Sequence, residues 1–205
     1  MLYYQTVNKE TLELLKSLLL FPSTTDFYLV GGTALSLQSG HRISIDLDFF
    51  TNEEFDSQKL LEKLKENFSV TPVGISRNSL TAEIENIKVD FIRHDYPLVK
   101  PIQFIENIRM VSKEDIAAMK LNSITIRGSK KDFYDLFELL NFFSLADVFD
   151  FFSVKYDDSL KFMVLKSLLY FDDADSEPSP VLIKNNSWDD VKNKIRAEVK
   201  KYSAF

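Results

Sequence analysis

Residues 27–50 read FYLVGGTALSLQSGHRISIDLDFF, and this stretch decides how the chain folds. Residues 26–30 form an apolar run with the length of a short strand, which the pair Gly31-Gly32 ends. Residues 33–39 are then predicted to form a short helix. Glycine lets a ligand approach the backbone, and the unpaired N–H groups of a first helical turn attract anions. The turn is therefore a predicted anion site, although a glycine pair by itself is more often only a tight turn.

The second strand of this stretch carries two aspartates, Asp46 and Asp48. Residues two apart on a strand point to the same face, so their Cα atoms lie about 6.6 Å apart and both carboxylates face one side. Leu47 and Phe49 point to the opposite face and into a core. Two such carboxylates suit a pair of Mg²⁺ ions whose coordination a nucleotide completes. An acidic edge strand that prevents aggregation is the alternative, and the nearby glycine pair favours the metal site.

A third carboxylate, Asp90, lies in the alternating run of residues 87–92. Asp90 shares a strand face with Lys88 and Ile92. If this strand pairs beside the one that carries Asp48, Asp90 can act as a general base or as a shared metal ligand. A surface aspartate on an amphipathic strand remains the alternative.

Three cations further along the chain are candidates for contacts with polyphosphate. Lys120 and Arg127 are seven residues apart on a predicted helix and therefore share a face, and Lys131 begins the next helix. Phosphoryl and nucleotidyl transfer depend on charge placed around phosphorus, so such a cluster is useful. The alternative is a solvated helix face with salt bridges to Asp132 and Asp135.

The polar joint before the metal strand contains His41 and Arg42. Arg42 is predicted to pair with an acidic site residue or with a phosphate, whereas His41 is more often a residue that holds a loop by a hydrogen bond. The chain has no cysteine, and His41 and His94 lack ligand spacing, so no zinc site is expected.

The periodicity of the remaining sequence predicts an α+β protein. Pro97 and Pro101 mark a connecting loop, and residues 172–180 are predicted to form an acidic loop. Ser129 is predicted to cap the helix that follows it. The predicted strands are 69–76, 79–85 and 87–93, and the predicted helices are 9–20, 53–67, 112–126, 129–143, 145–155, 159–171 and 188–202.

Composition restricts the class of protein. The 205 residues are 45% hydrophobic with 18 phenylalanines, enough for one packed core with a helical extension. A formal charge of −6 argues against a broad, indiscriminate nucleic-acid binder. No apolar run approaches the ~20 residues that span a membrane, and the first twenty residues resemble an amphipathic helix rather than a signal peptide, so a cytoplasmic location is expected.

Taken together, these motifs resemble the AbiEii/AbiGii toxin-type nucleotidyltransferases, bacterial members of the DNA polymerase β-like superfamily. The resemblance covers residues 27–140. The first motif comprises Gly31-Gly32-Thr33, Leu35, Gly40-His41-Arg42, Ser44, Asp46, Asp48, Phe49 and Phe50. The downstream motif comprises residues 115–120, Arg127-Gly128, Lys131-Asp132 and Asp135-Leu136, where the family often has arginine in place of Lys131.

The resemblance implies a fold and a set of site residues. The fold is a polymerase β-like core, a small mixed sheet with flanking helices, over residues 1–110, with a helical region over 111–205 packed on it as one compact unit. The implied catalytic residues are Asp46, Asp48, Asp90, Lys120 and Asp132, of which the first three are the implied metal ligands. The implied nucleotide-binding residues are Gly31, Gly32, Thr33, Arg42, Ser44, Lys120, Arg127 and Lys131.

The resemblance also implies an activity. The expected reaction is Mg²⁺-dependent transfer of a nucleotide from an NTP to an acceptor hydroxyl, with a two-metal site, plausibly on tRNA or another RNA. A toxin-like role with a cognate antitoxin protein follows from the family, and no membrane partner is expected. Transfer of a nucleotide or phosphate to a protein, and a catalytically idle nucleotide-binding module, remain as alternatives.

Overall fold

A seven-stranded mixed sheet holds the residues of the opening stretch in the computed structural model, which describes residues 1–204. In space the strands follow the order β3-β4-β5-β2-β1-β7-β6. The strands are β1 (Tyr28–Val30), β2 (Leu47–Thr51), β3 (Val70–Ser76), β4 (Ser79–Ile84), β5 (Ile87–Arg93), β6 (Gln103–Ile105) and β7 (Ile108–Met110).

Helices cover the sheet and make up the C-terminal half of the chain. Every strand listed above precedes residue 111, and the helices α4 to α9 follow it. The helices are α1 (Lys9–Leu20), α2 (Gly31–Ser39), α3 (Ser57–Lys65), α4 (Lys113–Arg127), α5 (Lys130–Leu139), α6 (Leu145–Lys155), α7 (Lys161–Ser167), α8 (Asp172–Asp175) and α9 (Trp188–Tyr202). This confirms the α+β class, while the division at residue 110 into two parts of one unit stays a prediction.

The unit β1–α2–β2 brings the two halves of the opening stretch together. β1 runs antiparallel to β2 with Val30 opposite Asp48, so α2 begins beside the start of β2. β5 runs parallel to β2 on its other side and places Asp90 opposite Asp48. The pairing that would make Asp90 a third site carboxylate is therefore present.

Alternation along β2 separates the core from the site. Leu47 and Phe49 are fully buried, and Phe49 stacks on Phe91 of β5 with ring centroids 5.3 Å apart. Asp48 and Phe50 point to the opposite face, as the period of two requires. β2 begins at Leu47, so Asp46 lies just before the strand rather than on it.

Several predicted element boundaries are wrong for local reasons. The helix predicted over 53–67 is α3, which starts later because the Asp56 carboxylate caps it by accepting from the Gln58 and Lys59 N–H groups. The predicted helices 129–143 and 159–171 are shorter, as α5 and α7, and the predicted acidic loop 172–180 begins with the short α8. The hairpin β6–β7 was not predicted, since its strands have only three residues each.

Ser129 occupies the N-cap position of α5, but its side chain does not cap the helix. Its hydroxyl donates to Glu177 at 2.8 Å, and the same Glu177 carboxylate accepts the Lys130 N–H at 2.8 Å. A carboxylate from a distant loop thus satisfies the helix terminus, which a local sequence pattern cannot show.

None of the helices found in residues 1–204 has the length and apolar character needed to span a bilayer. The cytoplasmic location stays a prediction.

Candidate active site

The predicted site residues converge on one cavity of about 400 Å³ between the sheet and α4. Every one of them lines it except Thr33 and Asp132. The predicted residues that line the cavity are Gly31, Gly32, Arg42, Ser44, Asp46, Asp48, Asp90, Lys120, Arg127 and Lys131. Residues from β1, α2, β2, β5, α4 and α5 therefore meet at one place, although they are spread over a hundred positions of sequence.

Three carboxylates, Asp46, Asp48 and Asp90, face this cavity. Burial raises the pKa of Asp48 above its ordinary value, and the neighbouring Asp90 and Asp46 carboxylates raise it further. Negative charge at this point is therefore crowded and unfavourable in the protein alone. A cation bound among the three carboxylates would relieve that repulsion.

Asp90 is also held by its neighbours on the sheet. It accepts a hydrogen bond from the Thr81 hydroxyl of β4 and pairs with Lys88 Nζ at 3.2 Å. Burial opposes the charged form of Lys88, but its hydrogen bond to Asp90 and the charges of Asp90, Asp46 and Asp48 together outweigh burial and raise the pKa of the ammonium. These contacts fix the direction of the Asp90 carboxylate toward the cavity wall.

The glycine turn brings backbone into contact with charged side chains. Gly31 has φ +71°, a left-handed conformation that glycine adopts without strain, and a Cβ there would lie 2.5 Å from Asp48 Oδ2. A Cβ on Gly32 would overlap with Nη2 of Arg42. Both glycines are therefore required by close approach, and their backbone forms the wall of the cavity.

Thr33 and Ser44 support this wall. The Thr33 side chain is buried, its hydroxyl donates to the Asp46 carbonyl at 2.5 Å, and it lies 2.9 Å from the Ser44 hydroxyl. Thr33 thus ties the start of α2 to the backbone of Asp46. It positions a predicted metal ligand from outside the cavity lining, whereas Ser44 reaches the cavity itself.

We expect Gly31→Ala to lower catalytic turnover by about 10²-fold, because the new methyl group displaces the Asp48 carboxylate. The left-handed φ adds a stability cost of about 1–2 kcal/mol. Steady-state kinetics and thermal unfolding measure both effects. Gly74→Ala on β3 is the matched control, since the nearest side-chain atom to its added Cβ is 4.0 Å away. Equal turnover for the two variants would contradict the role given to Gly31.

Asp135 is the centre of a buried ionic cluster behind the cavity. It is fully buried and accepts from Arg42 Nε at 2.6 Å and Nη2 at 2.8 Å, and from Lys120 Nζ at 2.6 Å. His41 Nε2 lies 2.8 Å from the same carboxylate. Burial opposes the charged form of Asp135, but Arg42 and Lys120 outweigh it and hold its pKa well below the usual range.

Asp132 is likewise buried and binds two cationic side chains. It accepts from Lys120 Nζ at 2.7 Å and from Arg127 Nε at 2.7 Å. Burial opposes the charge of Lys120, yet the Asp135 and Asp132 carboxylates raise the pKa of its ammonium. Asp132 therefore holds cations at the cavity rather than facing it. Lys131 approaches the other side, with Nζ 3.8 Å from Asp46.

Asp135 was predicted as a salt-bridge partner and as part of the downstream motif, without a role in the site. The sequence analysis also missed three side chains of α4 that line the cavity, Ile116, Met119 and Ser123. Helical spacing would have found these, because they share the face of Lys120 and Arg127. The contacts of Asp135 with Arg42, 93 residues away, leave no local signal.

The donor set fits Mg²⁺. Carboxylate oxygens on an open wall, with room for phosphate oxygens, match the hard ligands that this ion prefers. Within residues 1–204, no three or more histidine, cysteine, aspartate or glutamate side chains lie in an arrangement that could hold a metal ion by themselves. An ion here would bind through Asp46, Asp48 and Asp90 and would need further ligands from substrate or water.

A glycine turn facing strand-borne aspartates, backed by cations from the following helices, defines the polymerase β-like class of nucleotidyltransferases. Comparisons with known proteins agree. Residues 13–103 match the family described as "Nucleotidyl transferase AbiEii toxin, Type IV TA system". The chain is 34% identical over 202 residues to the uncharacterized protein aq_aa25 of Aquifex aeolicus, covering 96% of this chain and 97% of that one.

The fold also matches a solved structure. The crystal structure of JHP933 from Helicobacter pylori superposes with a TM-score of 0.58 at 18% identity, over 100% of this chain and 96% of that chain. At that identity the likeness concerns the fold alone. The chain belongs to the AbiEii family of nucleotidyltransferases, and its enzyme class is nucleotidyltransferase.

Proposed function

We propose that this enzyme transfers a nucleotide from an NTP to a hydroxyl of an RNA acceptor such as tRNA in a Mg²⁺-dependent reaction. The observation that carries the proposal is the shared cavity of Asp46, Asp48 and Asp90 with the glycine turn and the cations of α4 and α5. Carboxylates alone would suit many metal sites. The position of these carboxylates opposite the Gly31-Gly32 turn, where phosphate can bind, favours a nucleoside triphosphate as the substrate.

The triphosphate is assigned to the side of the cavity near the start of β2. Gly31 and Gly32 are the first two residues of α2, and the backbone of this helix N-terminus provides N–H donors there. Arg42 lies beside Gly32, and Lys131 lies near Asp46. These groups would hold the β- and γ-phosphates and offset the charge of the pyrophosphate as it leaves.

The chemical step joins the acceptor oxygen to the α-phosphorus and breaks the bond from that phosphorus to the bridging oxygen. Asp90 is assigned as the group that takes the proton from the attacking hydroxyl, because it lies opposite Asp48 across the strand pair. Arg42 and Lys120 remain charged, since their buried carboxylate partners raise the pKa of each. Mg²⁺, when bound at Asp46, Asp48 and Asp90, would supply Lewis-acid stabilisation of the phosphate oxygens.

A toxin-like role and a cognate antitoxin protein are part of the same proposal and rest on family membership.

The net charge of −6 favours contact with the RNA acceptor over a small area rather than along an extended basic surface. On α9, for example, Lys192 pairs with Asp175 at 3.1 Å and Lys194 donates to Asn141 at 2.5 Å. Such pairing reduces what that helix offers to RNA phosphates.

The test is incubation of the purified protein with each α-³²P-labelled NTP, Mg²⁺ and total bacterial RNA. Label in an RNA band identifies both the nucleotide and the acceptor. Label on protein and not on RNA would show that the acceptor is a protein. An Asp46→Asn/Asp48→Asn double variant is the control for contaminating enzymes. Absence of label in both fractions, with measurable NTP binding, would overturn transfer and leave a nucleotide-binding module.

A further inference from the structure

Four aromatic side chains form a continuous row that begins at the cavity wall. Phe50 lines the cavity and stacks on His94, with ring centroids 4.6 Å apart and planes 21° apart. His94 contacts Tyr96 at 4.8 Å, and Tyr96 contacts Tyr156 of the α6 C-terminus at 5.0 Å. We call Phe50, His94, Tyr96 and Tyr156 the aromatic row. None of these residues is assigned to the carboxylate site or to the triphosphate.

The row extends the sheet face that carries the carboxylates. Phe50 follows Asp48 by two residues on β2, and His94, four residues after Asp90, comes directly after the end of β5, so the side chains continue the same face toward the strand ends. The His94 N–H donates to the Thr51 carbonyl at 2.8 Å, and this bond keeps the ends of β2 and β5 side by side. A ligand that passes the carboxylates in this direction meets the row next.

A buried ion pair fixes the loop that follows Tyr96. Asp115 of α4 accepts from the Val99 N–H at 2.9 Å and the Lys100 N–H at 3.1 Å. Lys155 of α6 pairs with Asp115 at 2.8 Å and donates to the Pro97 carbonyl, also at 2.8 Å. Both side chains are buried. The loop is therefore held in one conformation before any ligand binds, although Tyr96 itself remains 45% exposed.

The in-line geometry of the transfer reaction determines whether the acceptor or the NTP contacts the aromatic row. The attacking and leaving oxygens lie roughly on opposite sides of the phosphorus. The glycine turn, assigned to the leaving pyrophosphate, lies beside the start of β2, because β1 is antiparallel and places Val30 opposite Asp48. The aromatic row lies at the other end of β2, where Tyr28 pairs with Phe50. The acceptor must therefore approach from the end that carries the row.

We propose that the aromatic row binds a nucleobase at the reacting end of a single-stranded RNA acceptor by stacking. This inference rests on the proposed function and adds the place and the chemistry of acceptor recognition. Aromatic side chains stack on any base, so the row supplies affinity without requiring a base sequence. The base of the incoming NTP is assigned to the α4 residues Ile116, Met119 and Ser123 of the cavity wall.

The first arm of the test is kinetic and uses total bacterial tRNA as acceptor. Tyr96→Leu and Phe50→Leu are expected to raise the KM for RNA about tenfold and to leave the KM for NTP within about twofold. Tyr96→Phe keeps the ring and is expected to behave as wild type. Phe104→Leu removes an exposed ring from the edge strand β6 and is the matched control. A raised KM for NTP with an unchanged KM for RNA would overturn the proposal.

The second arm needs no catalysis. A short single-stranded RNA with 2-aminopurine as its 3′-terminal base is titrated with protein in the absence of NTP. Quenching by wild type and Tyr96→Phe, with weaker quenching by the two leucine variants, supports stacking on the row. Equal quenching by all variants, or none by any, overturns it. If RNA is never labelled in the transfer assay yet quenching depends on the rings, the row stands and the proposed function fails.

Discussion

Asp48→Asn is expected to reduce nucleotidyl transfer by about 10³-fold while the folded protein becomes as stable as wild type or more stable. The loss of activity follows from removing the carboxylate that faces both the glycine turn and Asp90. The stability follows from the pKa of Asp48, which burial and the Asp90 carboxylate raise. A neutral amide of the same shape removes that unfavourable charge.

The sign of the pH dependence can be derived from this raised pKa. A carboxyl group whose pKa is higher in the folded state destabilises the fold when ionised, so its penalty is complete above the folded pKa. The penalty disappears as pH falls below the unfolded value of 3.8. We therefore expect the unfolding temperature of Asp48→Asn to exceed that of wild type near neutral pH, and the difference to vanish in acid.

Mg²⁺ should reverse this order of unfolding temperatures, so that wild type unfolds at a higher temperature than Asp48→Asn. An ion that binds the folded protein only raises the unfolding temperature, and it requires the carboxylate of Asp48. Thermal unfolding with and without Mg²⁺ should show a rise for wild type and little change for Asp48→Asn. Asp150→Asn, an exposed carboxylate on α6, is the matched control and should follow wild type in activity and in its response to Mg²⁺. Full activity of Asp48→Asn would remove Asp48 from the site.

Asp135→Ala is expected to cost about 3–5 kcal/mol of unfolding free energy, because it leaves the buried Arg42 guanidinium without its carboxylate partner and removes one of the two carboxylates that compensate Lys120. For a chain of this length such a loss lowers the unfolding temperature by roughly 10 °C. Chemical denaturation measures the free energy directly. The two cations also face the cavity, so residual activity should fall as well.

A surface ion pair supplies the comparison for Asp135. Lys63 and Glu66 lie 3.0 Å apart with both side chains about half exposed, so Lys63→Gln should change stability by less than about 1 kcal/mol. The stabilising effect of Asp135 is present above its unfolded pKa of 3.8 and is lost as pH falls through its lower folded value. Equal stability of Asp135→Ala and Lys63→Gln at neutral pH would contradict the cluster's structural role.

The carboxylate site was predictable because strand geometry is local. A period of two separates Asp48 from the buried Leu47, and the alternating run around Asp90 allowed a third carboxylate, whereas Asp46 lies just before β2. Only the pairing of β5 with β2 was left open, and the parallel register of Asp48 with Asp90 resolves it.

The remainder of the site could not be predicted because it depends on contacts distant in sequence. Asp135 binds Arg42 across 93 positions, and a charged helix residue is by default a solvated one. The aromatic row draws its four rings from β2, the segment after β5, and α6, so no periodicity joins them. Asp132 was assigned to the site by resemblance; it is buried behind Lys120 and Arg127, and its catalytic role stays a prediction.

The most direct measurement compares α-³²P- and γ-³²P-labelled NTP in the same transfer reaction, with wild type and Asp48→Asn side by side. Nucleotidyl transfer predicts that the acceptor retains the α label, that the γ label leaves as pyrophosphate, and that both signals are lost in Asp48→Asn. Label from the γ-phosphate on the acceptor, or undiminished α label with Asp48→Asn, would contradict nucleotidyl transfer at this site.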